Sequence, residues 1–298
     1  MVGVDFGGTK IEVAALDAAG TPIVRKRLPT PGDYDSALNT VRDLVRAIEN
    51  ETVEVDRLGI GAPGSISPKT GLLRNSNTIY LNGKPFAQDL ERTLGKRVRL
   101  SNDANCLALS EAVDGAAAGE HSVFAVILGT GCGGGLVVNG KLIHGANGIA
   151  GEWGHNPLPW PSVDELKGAP RCWCGQIGCQ EVWISGSGLQ RDFFEAAGVR
   201  ATGEEIIAAS RRGEPDAVAA FERYIDRLAR SLAAAVNIFD PDAIVLGGGM
   251  ANVSELYDLL PSLIRRHVFS DAWTTRILQA RWGDSSGVRG AARLWAKD

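Results

Sequence analysis

The sequence contains only two methionines, four tyrosines and four histidines, and aromatic residues make up 6% of it. No stretch approaches ~18 consecutive apolar residues, so no helix is expected to span a membrane. The N-terminus lacks a basic region followed by a long apolar run, and no secretory signal is expected. The protein is expected to be cytoplasmic. The formal net charge is −4 and no run of Lys or Arg offsets it locally. The electrostatic footprint of a nucleic-acid partner is therefore missing. A Walker-type loop is absent as well, since G-x-x-x-x-G-K-[ST] does not occur.

What remains is an ordinary globular composition, 44% hydrophobic and 22% charged over 298 residues, long enough for two lobes with a sizeable core. Strands are expected near 2–6, 11–17, 22–28, 58–60 and 97–100. Helices are expected over about 36–48, with Leu38, Val41, Leu44, Val45 and Ile48 on one face, and over 104–118. The pattern then restarts with a buried strand over 122–128, a glycine loop over 129–135 and a strand at 136–138. Asn139-Gly140 marks a hairpin turn into 141–143. A long helix over about 215–237 and a strand at 243–246 ending in Gly247-Gly248-Gly249 follow. Helices near 254–267 and 286–295 complete the chain. Strand–glycine turn–strand thus occurs twice, at 2–16 and 123–138, which reads as an internal duplication of two α/β halves.

The two turns differ from better-known glycine motifs. Gly129-Thr-Gly131-Cys-Gly-Gly134 matches the letters of the dinucleotide fingerprint, but that motif needs a helix after the glycines. Here a strand follows, so the match is spurious. A hairpin-type turn survives, in which Gly-Gly-Thr exposes backbone N–H groups suited to phosphate. An ordinary hairpin beside an exposed Asp5 is the plain alternative.

Five cysteines are an odd count, and Cys172, Cys174 and Cys179 crowd into one short segment. With His155 they can fill a closed tetrahedral Zn²⁺ shell with no position left for water, which points to a structural metal. Reduced thiols in a loop are the alternative. Cys106 and Cys132 sit in apolar or glycine-rich surroundings and are expected to be inert buried thiols. Asp103 falls between a strand and a helix, where Asp is usually an N-cap. The same place also suits a positioned base, kept ionised by the helix dipole.

Asp5-x-Gly-Gly-Thr-Lys10, Asn102-Asp103-x-Asn105, Leu128-Gly-Thr-Gly131, Glu152-x-Gly-His155 and Cys172-x-Cys-Gly-x-x-Gly-Cys179-x-Glu181 occur in this order. Together they resemble the repressor, open reading frame, kinase (ROK) family of sugar kinases over nearly the whole chain. The segments 75–86, 111–119 and 155–160 look most like its bacterial fructokinase and mannokinase members. The resemblance implies a two-lobed α/β fold of the actin/hexokinase (ribonuclease H-like) type. The small lobe would take 1–105 plus about 284–298 and the large lobe 106–283, with the active-site cleft between them. It implies an ATP- and Mg²⁺-dependent hexose kinase acting on the 6-hydroxyl, with D-fructose the leading acceptor and mannose, glucose or an N-acetylhexosamine as alternatives. A sugar-responsive repressor of the family is disfavoured, since the phosphate turn begins at Asp5 and no helix-turn-helix precedes it.

By the same resemblance, Asp103 is the catalytic base and Gly64, Asn77, Asn102, Asp103, Glu152, His155 and Glu181 line the sugar site. His155 would bind zinc through one ring nitrogen and a sugar hydroxyl through the other. Asp5 would hold Mg²⁺. Gly7, Gly8, Thr9 and Lys10, with Gly129, Thr130 and Gly131, would meet the ATP phosphates, and Gly247, Gly248 and Gly249 the adenosine. A homodimer is implied.

Overall fold

The computed structural model describes residues 1–296. Val2–Phe6 (β1) and Lys10–Leu16 (β2) pair antiparallel, with Val4 opposite Val13 and Phe6 opposite Ile11. That register keeps the apolar residues of both strands buried. β2 pairs in turn with Pro22–Pro29 (β3). Helix α1 (Tyr34–Glu49) is capped by Asp33, whose carboxylate accepts the Ser36 N–H at 2.9 Å, and it buries the expected apolar face. β4 (Arg57–Gly61) runs parallel to β1. A short ribbon, β5 (Ser65–Ile66) and β6 (Leu73–Arg74), and helix α2 (Phe86–Leu94) lead to β7 (Arg97–Ser101), parallel to β4.

Helix α3 (Asp103–Val113) is shorter than the expected 104–118. The buried Glu111 carboxylate takes the Ala116 N–H at 2.8 Å, and a Cβ on Gly115 would overlap that carboxylate. The chain leaves the helix at Asp114, and Glu111 fills the space beyond.

The second pattern opens with β8 (Ser122–Leu128), β9 (Cys132–Val138) and β10 (Lys141–Leu142). The expected loop over 129–135 is shorter, because Cys132–Gly135 already belong to β9. Those glycines are there for packing. A Cβ on Gly134 would sit 2.8 Å from Trp153 Cδ1, and one on Gly135 2.6 Å from the Ala104 carbonyl. Next come α4 (Val163–Lys167), α5 (Glu181–Ile184), α6 (Gly186–Ala197), α7 (Gly203–Arg211) and α8 (Pro215–Phe239). β11 (Ala243–Gly247), α9 (Glu255–Arg265), β12 (Arg276–Gln279) and α10 (Ser286–Arg293) complete the chain.

The two large sheets have the same order, β3-β2-β1-β4-β7 and β10-β9-β8-β11-β12. In each, an antiparallel edge precedes two parallel strands at the other side. This is the duplication that the sequence pattern implies.

Contacts divide the chain into two compact units. The first holds 1–119, 135–150 and the segment from Arg281 onward; the second holds 120–134 and 151–280. The boundary expected at 105/106 falls inside α3, which packs on α10 within the first unit. α10 lies in a groove without side chains: a Cβ on Gly3 would overlap Val288 O, and one on Gly59 would overlap Ala291 O. Phe6 and Phe86 meet edge to face at 5.3 Å in the first core. In the second unit, Arg227 joins Glu165 (2.8 Å) to Asp192 (2.6 Å). Arg230 joins Glu165 to Asp226 and donates to the carbonyls of Pro159 and Trp160. This network fastens the proline-rich segment ahead of the cysteines onto α8.

Candidate active site and metal centre

The first glycine turn is closed by Gly7 N–H donating to Lys10 O at 2.9 Å, and it is braced from outside by Thr30 Oγ1 donating to Gly7 O at 2.7 Å. Gly8 and Thr9 are exposed at its tip. Asp5 sits in β1 against the first turn of α10, where a Cβ on Gly287 would come 2.7 Å from its Oδ2. The glycine makes room for the carboxylate.

Asn102 is the N-cap of α3, its Oδ1 accepting the Asn105 N–H at 2.7 Å. The capping role that Asp103 could have filled therefore belongs to its neighbour. Asp103 Oδ1 accepts the Ala104 N–H at 2.9 Å. Its carboxyl still meets solvent, yet the protein packed around it raises its pKa above the ordinary carboxylate value. Desolvation is the larger effect and the backbone N–H bonds oppose it. The helix terminus expected to keep Asp103 ionised is thus opposed by the protein packed around its carboxyl. Gly64, between β4 and β5, has φ +91°, and a Cβ there would overlap Arg74 O. Only glycine lets β5 follow β4 so closely. Asn77 is exposed, and its loop is held by the Asn82 amide bridging Ser76 N–H and O at 2.9 and 2.8 Å.

His155, Cys172, Cys174 and Cys179 come together, with all four donor atoms within 4.8 Å of one another. Cys172 Sγ lies 3.7 Å from His155 Nδ1 and Cys174 Sγ 3.5 Å from Cys179 Sγ. A tetrahedron with Zn–S bonds of about 2.3 Å needs sulfurs about 3.8 Å apart, so the donor set fits zinc. Nδ1 is the ring nitrogen that faces the cysteines, which leaves Nε2 for another partner. Glu181, the first residue of α5, links this knuckle to the second glycine turn. Its Oε1 accepts the Trp173 indole N–H at 2.7 Å and its Oε2 the Cys132 N–H at 3.0 Å. Glu152 is half-buried and immediately precedes Trp153, whose indole donates to Gly133 O at 3.1 Å. Cys106 and Cys132 are buried, and desolvation pushes both thiols well above their ordinary pKa.

The second turn is closed by Gly129 N–H donating to Gly131 O at 3.0 Å and is tied to α6 by Gly186 N–H donating to Gly129 O at 2.7 Å. It borders a cavity of about 740 Å³. Thr130 and Gly249 line this cavity, whereas Gly247 is buried beneath it. Gly248 has φ +82°, and a Cβ there would come 2.6 Å from Leu128 O. The remaining wall was not anticipated from the sequence. It comes from Gly186, Ser187 and Gln190 at the start of α6, from Thr202, Gly203 and Arg211 of α7, and from Met250 and Asn252. Two signals could have found it: Ser185-Gly-Ser-Gly188, where Ser185 caps α6, and the Thr202/Glu205 capping box. A helix N-terminus beside a glycine turn can accept an anion.

The ROK family model matches residues 1–298. The chain is 42% identical over 300 residues to the N-acetyl-D-glucosamine kinase of Pectobacterium atrosepticum, covering 99% of both chains. It is 43% identical over 298 residues to the enzyme of that name from Yersinia enterocolitica, covering 98% of both. Among solved structures, the ROK hexokinase from Thermus thermophilus superimposes with a TM-score of 0.86 at 32% identity, covering 98% of this chain and 96% of that one. A ROK-family glucokinase from Streptomyces griseus, in complex with glucose and AMPPNP, gives 0.82 at 30% identity, covering 99% and 98%. These likenesses show the actin-like ATPase fold. With its whole length matched by the family model and by these relatives, the chain belongs to the ROK family.

Proposed function

We propose that the chain is an ATP- and Mg²⁺-dependent sugar kinase whose acceptor is the 6-hydroxyl of N-acetyl-D-glucosamine. The observation that carries this reading is the full-length likeness to N-acetyl-D-glucosamine kinases at about 42% identity. The glucose and AMPPNP held by the Streptomyces griseus neighbour support a hexose and an adenine nucleotide as the pair of substrates. D-Fructose was expected from three short segments. A likeness over the whole chain outweighs them, and fructose gives way.

In this reading the hydroxyl oxygen attacks the γ-phosphorus, the bond to the bridging oxygen breaks, and ADP leaves. Asp103 takes the hydroxyl proton, and its raised pKa makes it a better acceptor than an ordinary carboxylate. Asn77, Asn102, Glu152, His155, Glu181 and the backbone at Gly64 orient the sugar. The turns at Gly7–Lys10 and Gly129–Gly131 bind phosphates through N–H groups, and adenosine occupies the cavity beside Gly247–Gly249. Asp5 would hold Mg²⁺, which neutralises phosphate charge when bound. Cys172, Cys174, Cys179 and His155 would hold Zn²⁺ in a closed structural shell.

The test is a coupled ADP-release assay with N-acetylglucosamine, glucose, mannose and fructose. N-Acetylglucosamine should give the highest kcat/KM by about tenfold or more. Preference for fructose would return the acceptor to the first expectation, and no turnover with any hexose would remove the kinase reading.

A further inference from the structure

Trp173 stands between two metal-ligating cysteines and is 61% exposed, an unusual place for a large aromatic ring. It touches two of the residues assigned above to the sugar. Its indole N–H donates to Glu181 Oε1 at 2.7 Å, and its ring meets the His155 imidazole edge to face, with centroids 5.1 Å apart at 85°. Nothing in the kinase chemistry requires an indole here, and the shell of three cysteines and one histidine is complete without it.

We infer that Trp173 is a positioning residue for the acceptor sugar. It fixes Glu181 and His155 relative to each other so that both can receive hydroxyls. The argument starts from Glu181. A carboxylate on the first residue of a four-residue helix has several rotamers available, and each one sampled away from the sugar lowers the affinity. Three contacts remove that freedom: the Cys132 N–H on Oε2, and the indole N–H and, at 3.7 Å, Cys172 Sγ on Oε1. Oε2, with one donor, keeps a lone pair for a sugar hydroxyl. The Cys132 donor is main chain and cannot be varied by substitution, whereas the indole is the contribution of one side chain. The edge-to-face ring contact restrains His155 in the same way, with Nδ1 toward the cysteines and Nε2 toward a different partner. One side chain therefore couples the metal knuckle to both sugar ligands.

This inference rests on the sugar-kinase reading, and the experiment separates the two. Trp173→Phe keeps a ring against His155 but removes the N–H, and Trp173→Ala removes both. Each is compared with wild type for KM of N-acetylglucosamine, KM of ATP, kcat and zinc per chain. We expect the sugar KM to rise about tenfold in Trp173→Phe and further in Trp173→Ala, the size of losing one hydrogen bond to a charged acceptor. Zinc content should match wild type, and ATP KM and kcat should stay within about twofold. Tryptophan fluorescence of the wild type should change on titration with sugar alone, and that change should shrink in Trp173→Phe. A sugar KM within twofold of wild type in both variants overturns the inference while leaving the kinase intact. Parallel loss of zinc, kcat and both KM values overturns it too, since Trp173 would then only hold the knuckle together. A wild type that phosphorylates no hexose defeats the underlying reading instead.

Discussion

The two glycine turns occupy equivalent places in sheets of identical order, yet they are built differently. β1 carries Asp5 two residues before Gly7, and α10 supplies Gly287 to make room for it. β8 has Ile127 at the corresponding place before Gly129, and no acid occurs in that strand. The second turn is instead bonded to the start of α6 and borders a large cavity. The duplicated backbone therefore carries two different surroundings, a carboxylate beside the first turn and a cavity beside the second. A repeat conserves the path of the chain more readily than the chemistry placed upon it.

The sharpest way to break this division is Asp103→Asn, which keeps size and polarity but removes the proton acceptor. We expect kcat to fall by about 10²–10⁴ with sugar KM nearly unchanged. A fall below threefold would leave the first unit without its chemical role. The wild-type acid limb of kcat/KM should lie above the ordinary carboxylate value, because desolvation raises the pKa and the base works only when deprotonated.

Cys174→Ser tests the second unit. It should lose zinc and several degrees of thermal stability together, as measured by elemental analysis and calorimetry. Full stability at wild-type zinc content would show that three ligands suffice.

A smaller contrast lies within the cavity. Gly248→Ala forces an L side chain to φ +82° against Leu128 O and should cost about 1–3 kcal/mol in denaturant unfolding. Gly249→Ala meets no atom within 4 Å and should change stability by less than about 0.5 kcal/mol, while raising the ATP KM several-fold because Gly249 lines the cavity. Equal effects of the two on stability would contradict the packing described.

Glu165 tests the second unit through pH. Two arginines hold its pKa down to about 2 against the opposing effect of burial. A lowered carboxylate pKa adds stability that is present above the unfolded value, near 4.5, and is lost as pH falls toward 2. Glu165→Gln should therefore lower stability by a nearly constant amount above about pH 4.5, pH 7 included, and flatten the acid limb between those values.

Much of this arrangement was legible in the residues. The Asn139-Gly140 turn with φ 52° and 72° and the crowding of three cysteines each express a local rule, and each appears where it was expected. The unread parts depend on contacts distant in sequence. Gly134 looks like a loop residue until Trp153 is packed above it. The capping residues Ser185 and Thr202 mark where α6 and α7 begin, but that these helices lie beside the turn at Gly129 depends on contacts distant in sequence. Asp103 was read as dipole-stabilised because its helix position is visible in sequence, whereas the crowding that desolvates it is not.

The glycine-lined groove under α10 has a consequence for how the protein is made. The groove walls, β1, β4 and α3, leave the ribosome early, but their covering helix follows only after the entire second unit has been synthesised. At ~5–20 residues per second the groove stays bare for roughly 10–30 s. Val288 and Ala292 are then still missing from the cluster they form with Ala14 and Leu16. During that interval the nascent first unit exposes an apolar groove with nothing to fill it, and chaperone dependence should concentrate on the late step in which α10 docks.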